Sequence, residues 1–196
     1  MSVHIKTRGG VGESIRRIDG QPKVLGQFEY ASDLHRDNML WGETLRSPHP
    51  HAWIRSIDVS AAQSSPGVRA VITGADVPGR KTFGLDVQDP PVLAFEKVRY
   101  MGEAVAVVAA EQREQAREAL KRIAVAYEEL PALSDPERAL EADAPKLHGH
   151  GNNIIRTLKI LHGDPDAKAD VWVEGYYETG MQEQAPLGPD AGLALT

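Results

Sequence analysis

Between residues 39 and 130 the chain is written in short apolar runs with turn residues between them. "MLWGETL" (39–45) reads as a strand broken by Gly42, where a bulge or a close backbone approach is expected. "AWIRSIDV" (52–59) alternates imperfectly: Trp53, Arg55, Ile57 and Val59 fall on one side, and Ile54, Ser56 and Asp58 on the other. Its β-branched and aromatic content still favours a strand. Ser60 is placed to N-cap a short helix that Pro66-Gly67 ends. "VRAVIT" (68–73) is the next strand, and 74–91 is a long loop. "AVAVVAA" (104–110) is a continuous small apolar run, expected to be buried on both faces. In "EQREQAREALKRI" (111–123), Ala116, Ala119, Leu120 and Ile123 recur at i, i+3, i+4 and i+7, which predicts an amphipathic helix. "IAVAYEEL" (123–130) returns to period two, with Ile123, Val125 and Tyr127 on one face, and Pro131 closes it. The order strand, helix, strand from 104 to 130 reads as a βαβ-like unit.

The flanks read differently. Residues 1–19 form a polar, glycine-rich arm, and the turn-rich entry around Phe28 and Tyr30 leads into a compact α+β domain over 20–133. Residues 134–169 read as a connecting segment with one short helix in "SDPERALEADAP". "DVWVEGYYETG" (170–180) alternates as a strand and opens a second α+β domain over 170–196 that stays incomplete. Such unpartnered strands should drive self-association of the isolated chain.

Composition narrows the functions. The 196 residues carry a net charge of −6, without the basic patch a nucleic-acid or anionic-membrane partner would need. There are no cysteines, so this chain can ligate no iron–sulfur cluster, build no thiolate zinc site and offer no cysteine nucleophile. No apolar run reaches the roughly 18 residues of a membrane span, and the N-terminus lacks a signal-peptide core, so a cytoplasmic location is expected.

The candidate chemistry is sparse. His49-x-His51 and His148-x-His150 each put two imidazoles on one side of an extended chain, with no third ligand in view; surface histidines are the simpler reading. "GGVGES" (9–14) departs from the phosphate-binding G-x-G-x-x-G pattern. Glu128 and Glu129 point to opposite sides of their strand and cannot act as a close pair. "TGMQEQAPLGPDAGLA" (179–194) stands apart: Gln182 and Gln184 follow a strand on a loop carrying Pro186 and Pro189, and an amide both donates and accepts without charge. On the residues alone a polar turn between two strands is the favoured reading of this segment.

Three motifs in order alter that balance. "LRSPHPHAWIRSIDVSAAQSSPGVRAVITGADVPG" (45–79), "VRYMGEAVAVVAA" (98–110) and "VEGYYETGMQEQAPLGPDAGLA" (173–194) together resemble the molybdopterin-binding large subunit of the xanthine dehydrogenase/aldehyde oxidase family, from about Gly20 onward. The resemblance implies that 20–133 is an α/β-hammerhead domain and that the molybdopterin-binding domain begins near 170. It implies a molybdenum hydroxylase that oxidises a purine, N-heterocycle or aldehyde with water as oxygen source. Electrons would pass to iron–sulfur and FAD subunits or domains of an oligomeric enzyme. "GMQE" places the family's cofactor-proximal glutamine at Gln182. The aromatic pair and glutamate that often follow are absent here, where the chain reads Gln184-Ala185-Pro186-Leu187-Gly188. The family's glycine-rich cofactor loop, substrate arginine and catalytic glutamate have no counterpart, so no catalytic residue is assigned and the chain alone is expected to be inactive. The alternative is a non-catalytic hammerhead module that docks electron-transfer partners.

Overall fold

The computed structural model describes residues 11–12, 14–85, 87–149, 151–164, 166–185 and 191–195. The chain divides into two compact units, one of residues 38–170 and one formed by 1–37 with 171–196.

The larger unit carries six strands: β1 (Trp41–Arg46), β2 (Ala52–Asp58), β3 (Val68–Thr73), β4 (Lys97–Val98), β5 (Ala104–Ala110) and β6 (Ala124–Glu129). They form two three-stranded antiparallel sheets, ordered β1-β5-β3 and β4-β2-β6. A short helix, Ser60–Gln63, joins β2 to β3, and an eight-residue helix, Arg113–Leu120, joins β5 to β6. The expected βαβ-like unit is therefore corrected: the longer helix carries the chain from one sheet to the other, so β5 and β6 are not neighbours. A parallel pair would need both strands in one sheet.

Three bulges explain the imperfect alternation. Arg55 is the extra residue of β2 between the pairs Ile54↔Tyr127 and Ser56↔Ala126. It shifts the phase by one, so Ile54 and Ile57 both turn to the core. Arg69 does the same in β3, allowing Val68 and Val71 to face inward together. On β5 the extra residue is Val105, between the partners of Leu45 and Arg46. Gly42 pairs regularly with Ala109, so the irregularity of β1 falls at its other end.

Val105 joins Ala52, Ala94 and Val98 in one buried cluster, whereas Ala106, Val108 and Ala110 join Val71, Ala62, Ala116, Ala119 and Ile123 in another. Ile57 and Val125 pack against both, which makes the two clusters one continuous core. β5 is buried on one face only: Ala106, Val108 and Ala110 are fully covered, while Val107 and Ala109 are partly exposed. All four residues of the predicted helical stripe pack in the cluster around Val71 and Val108, as amphipathic spacing requires. Ser60 is the first residue of its helix and not a side-chain cap; its amide donates to Asp58 Oδ1 at 2.9 Å.

In the smaller unit, a five-residue helix, Gly20–Val24, opens the entry expected to be turn-rich. Lys23 Nζ lies 4.5 Å from the centroid of the Phe28 ring, which meets Tyr30 edge-on at 5.0 Å. The strand expected over 170–180 is corrected. Those residues form no ladder, and Trp172, Val173 and Tyr177 are exposed. Alternation alone gives no strand where no neighbour supplies the hydrogen bonds.

Candidate functional site

Gln182 lies in an irregular, exposed stretch, and its amide makes no hydrogen bond among the described residues. Gln184 is exposed beside it, and Ala185 takes a left-handed φ of 44°. Pro186 and Pro189, expected to stiffen this loop, lie outside the described residues, as do His150 and, in the glycine-rich 9–14 stretch, Gly9, Gly10 and Glu13.

The histidine pair at 49 and 51 is drawn into the fold. His51 is buried, which corrects the surface reading, and its Nδ1 lies 2.9 Å from the Pro131 carbonyl. That carbonyl can only accept, so Nδ1 carries the proton. Nε2 has no partner among the described residues. His49 packs against the Tyr127 ring at 4.8 Å, with Nδ1 3.4 Å from Glu129 Oε1. Among the described residues no three histidine, cysteine or acidic side chains converge as metal ligands. Glu128 and Glu129 are solvated edge residues engaged separately, Glu128 with Arg55 at 2.5 Å.

An open cleft of about 540 Å³ runs along Ile54–Ile57, Thr73–Asp76, Lys81 and Phe95. Its charged groups already have partners in the chain. Asp76 accepts from both the amide and the hydroxyl of Thr73 at 2.8 Å, which holds its carboxyl below the usual range. Lys81 Nζ donates to the Ala75 carbonyl at 3.3 Å and lies 5.7 Å from the Phe95 ring centroid. The cleft thus presents a closed set of contacts.

A polar cluster lies at the turn between β4 and β5. Glu103 is only 4% exposed there, and burial pushes its carboxyl up against the opposing hydrogen bond from the Arg99 amide at 2.6 Å. Burial also lowers the neighbouring Lys97 ammonium, with the like charge of Arg99 adding to it. Arg99 Nε donates to the Leu147 carbonyl, and His148 bonds Asp89. The sequence pattern does not single out Arg99, Glu103 or Asn153, because isolated polar residues carry no periodic signal.

With this geometry in view, comparisons fix the class. The profile of the aldehyde oxidase and xanthine dehydrogenase a/b hammerhead domain matches residues 25–131. The chain is 41% identical over 182 residues to a probable xanthine dehydrogenase subunit of Bacillus subtilis (strain 168), covering 91% of this chain and 24% of that one. It is 38% identical over 187 residues to the nicotinate dehydrogenase large molybdopterin subunit of Eubacterium barkeri, covering 94% of this chain and 44% of that protein. The structure of the aldehyde oxidoreductase from Desulfovibrio gigas superposes with a TM-score of 0.65 at 32% identity, over 70% of this chain and 16% of its own.

The chain belongs to the aldehyde oxidase and xanthine dehydrogenase family, through an α/β-hammerhead domain of two antiparallel sheets with connecting helices. It spans less than half the length of each of these relatives. Among the described residues no helix is long and apolar enough to cross a membrane.

Proposed function

We propose that this chain is the N-terminal part of a molybdenum hydroxylase large subunit, with 20–133 as its hammerhead domain, 134–169 as a connection and 170–196 as the start of the molybdopterin-binding domain. The observation that carries this reading is the likeness over 91% of the chain to a probable xanthine dehydrogenase subunit, a longer stretch than the hammerhead match over 25–131. The reaction would be hydroxylation of an electron-poor carbon in a purine, N-heterocycle or aldehyde. Iron–sulfur and FAD subunits or domains would take the electrons, since a chain without cysteines ligates no cluster of its own.

The described residues do not by themselves fit the cofactor. Gln182 offers one neutral amide, exposed and unbonded, and no second donor converges on it among the described residues. In the complete subunit Gln182 would supply a neutral hydrogen-bond donor near the cofactor. The rest of the pocket, including any acid–base group, would come from the remainder of the subunit.

The test is to purify the complete subunit with its partners and measure molybdenum together with oxidation of xanthine, nicotinate and an aromatic aldehyde. Bound molybdenum with turnover of one of these supports the reading, and a metal-free, inactive complex overturns it. Gln182→Ala in the same complex should lower turnover. Unchanged turnover and molybdenum content would remove Gln182 from the cofactor's surroundings while leaving the family assignment intact.

A further inference from the structure

We propose that Arg99 and Asn153 form a clasp that ties residues 135–153 to the sheets, so that independent motion of the chain begins only after Ile154. This inference does not depend on the proposed activity.

One side-chain amide organises the end of this segment. Asn153 Nδ2 donates to the carbonyls of Ala139 at 3.1 Å and Pro145 at 3.0 Å, and its Oδ1 accepts from the Leu147 amide at 3.2 Å. The opposite amide orientation would set oxygen against two carbonyls, so the network permits only this one. Three backbone groups from separate points of the loop are thus satisfied by one residue. Earlier in the loop, Asp135 Oδ1 accepts from the Glu137 amide at 2.8 Å and starts a 3₁₀ turn over Arg138–Leu140.

The other half of Leu147 is held from the sheets. Its carbonyl accepts from Arg99 Nε at 3.2 Å, and Arg99 is in turn fixed by the buried Glu103, which accepts from the Arg99 amide at 2.6 Å. Glu103 and Gly102 are stitched to the end of β1: the Ser47 amide donates to the Glu103 carbonyl at 2.8 Å, and the Gly102 amide donates to the Ser47 carbonyl at 2.8 Å. His148 adds a second tether, to Asp89 in the long loop. Leu147 therefore has both its amide and its carbonyl engaged, one by Asn153 and one by Arg99.

Beyond the clasp this ordering stops. The Ile154 amide donates to Asn152 Oδ1 at 3.0 Å, but residues 155–163 make no hydrogen bond or ion pair among the described residues. Ile155 is 83% and Ile160 79% exposed. Few buried contacts and unpaired backbone are the marks of a segment that opens at low cost.

Trypsin reads this boundary directly, because Lys146 lies inside the clasp and Arg156 and Lys159 lie beyond it. The Lys146 side chain is exposed, so only its pinned backbone protects the bond after it. In limited digestion of the full chain followed by mass spectrometry, Lys146 should be cut at least about tenfold more slowly than Arg156. Asn153→Ala and Arg99→Met should each raise the Lys146 rate by about tenfold, with Arg156 unchanged. Asn153→Asp keeps the volume but loses both donors, so it should open the loop as fully as alanine if hydrogen bonding and not packing makes the clasp. Equal cutting at Lys146 and Arg156 in the native chain would overturn the proposal, as would Asn153 variants with the native Lys146 rate. Hydrogen exchange of the β5 amides should stay slow in every variant. Loss of that protection would mean that these residues hold the whole body and not a local clasp, which also overturns it.

Discussion

Replacing Gly67 by alanine separates two physical contributions at the turn inside "PGVRAVITGADVPG", one of the stretches on which the family likeness rests. Gly67 has a φ of +76°, and a Cβ there would sit 2.1 Å from Gln115 Oε1. The left-handed backbone alone costs a non-glycine residue roughly 1–2 kcal/mol. The collision falls on the far end of a flexible side chain, so Gln115 can swing away, but it is employed where it stands. Its Oε1 accepts from the Gln112 amide at 3.1 Å and satisfies an otherwise open donor at the start of the 113–120 helix. Losing that bond adds about 1 kcal/mol. Gly67→Ala should therefore lower unfolding stability by about 2–3 kcal/mol. Gln115→Ala alone should cost about 0.5–1 kcal/mol. The double variant should cost less than the sum by a similar amount, since the alanine at 67 then meets nothing it can displace. Urea unfolding followed by tryptophan fluorescence reports this, because Trp41 lies beside the helix, 4.6 Å from the Arg113 guanidinium. Additivity of the two substitutions within about 0.3 kcal/mol would refute the proposed contact. A Gly67→Ala cost below about 0.5 kcal/mol would refute the strained turn as well.

The remaining predictions concern the core, pH and the exposed tail. Val108→Ala, at a fully buried position of β5, should cost about 2 kcal/mol in the same urea assay. Because burial raises the Glu103 carboxyl, its contribution is fully present below the ordinary carboxylate range and is lost as pH rises through the raised value. The thermal midpoint of Glu103→Gln should therefore gain on the native protein between pH 4 and pH 7, and a pH-independent difference would count against a desolvated carboxyl. Trp172, Val173 and Tyr177 are 70%, 89% and 91% exposed. The isolated chain should thus self-associate with concentration in sedimentation velocity, and serine at all three positions should shift it toward monomer.

Much of the hammerhead domain was legible because its local signals agree with its tertiary contacts. "VRAVIT" forms β3 over the residues predicted, and the Ala116, Ala119, Leu120 and Ile123 stripe faces the core that its spacing demands. Bulges blurred the rest. At Arg55 and Arg69 an extra residue resets a period of two, and each arginine turns outward to an acidic partner, Glu128 and Glu111 respectively. Pattern reading had no means to tell that β5 and β6 belong to different sheets, because a strand–helix–strand order fixes succession and not pairing. At 170–180 the sequence alternates but no strand pairs with it among the described residues, and the chain there is irregular and exposed. The candidate site was the least legible part. Gln182 is singled out by a motif and not by any contact, whereas the Arg99–Glu103 pair and Asn153 are tied together by contacts that no motif announces.

The central claim is that this hammerhead domain belongs to a molybdenum hydroxylase. Metal analysis of the complete subunit, purified with its partners from cells supplied with molybdate, tests it most directly. Stoichiometric molybdenum, released with the pterin on denaturation, is expected in a complex that oxidises a purine, N-heterocycle or aldehyde. A correctly assembled complex with neither molybdenum nor pterin would contradict it.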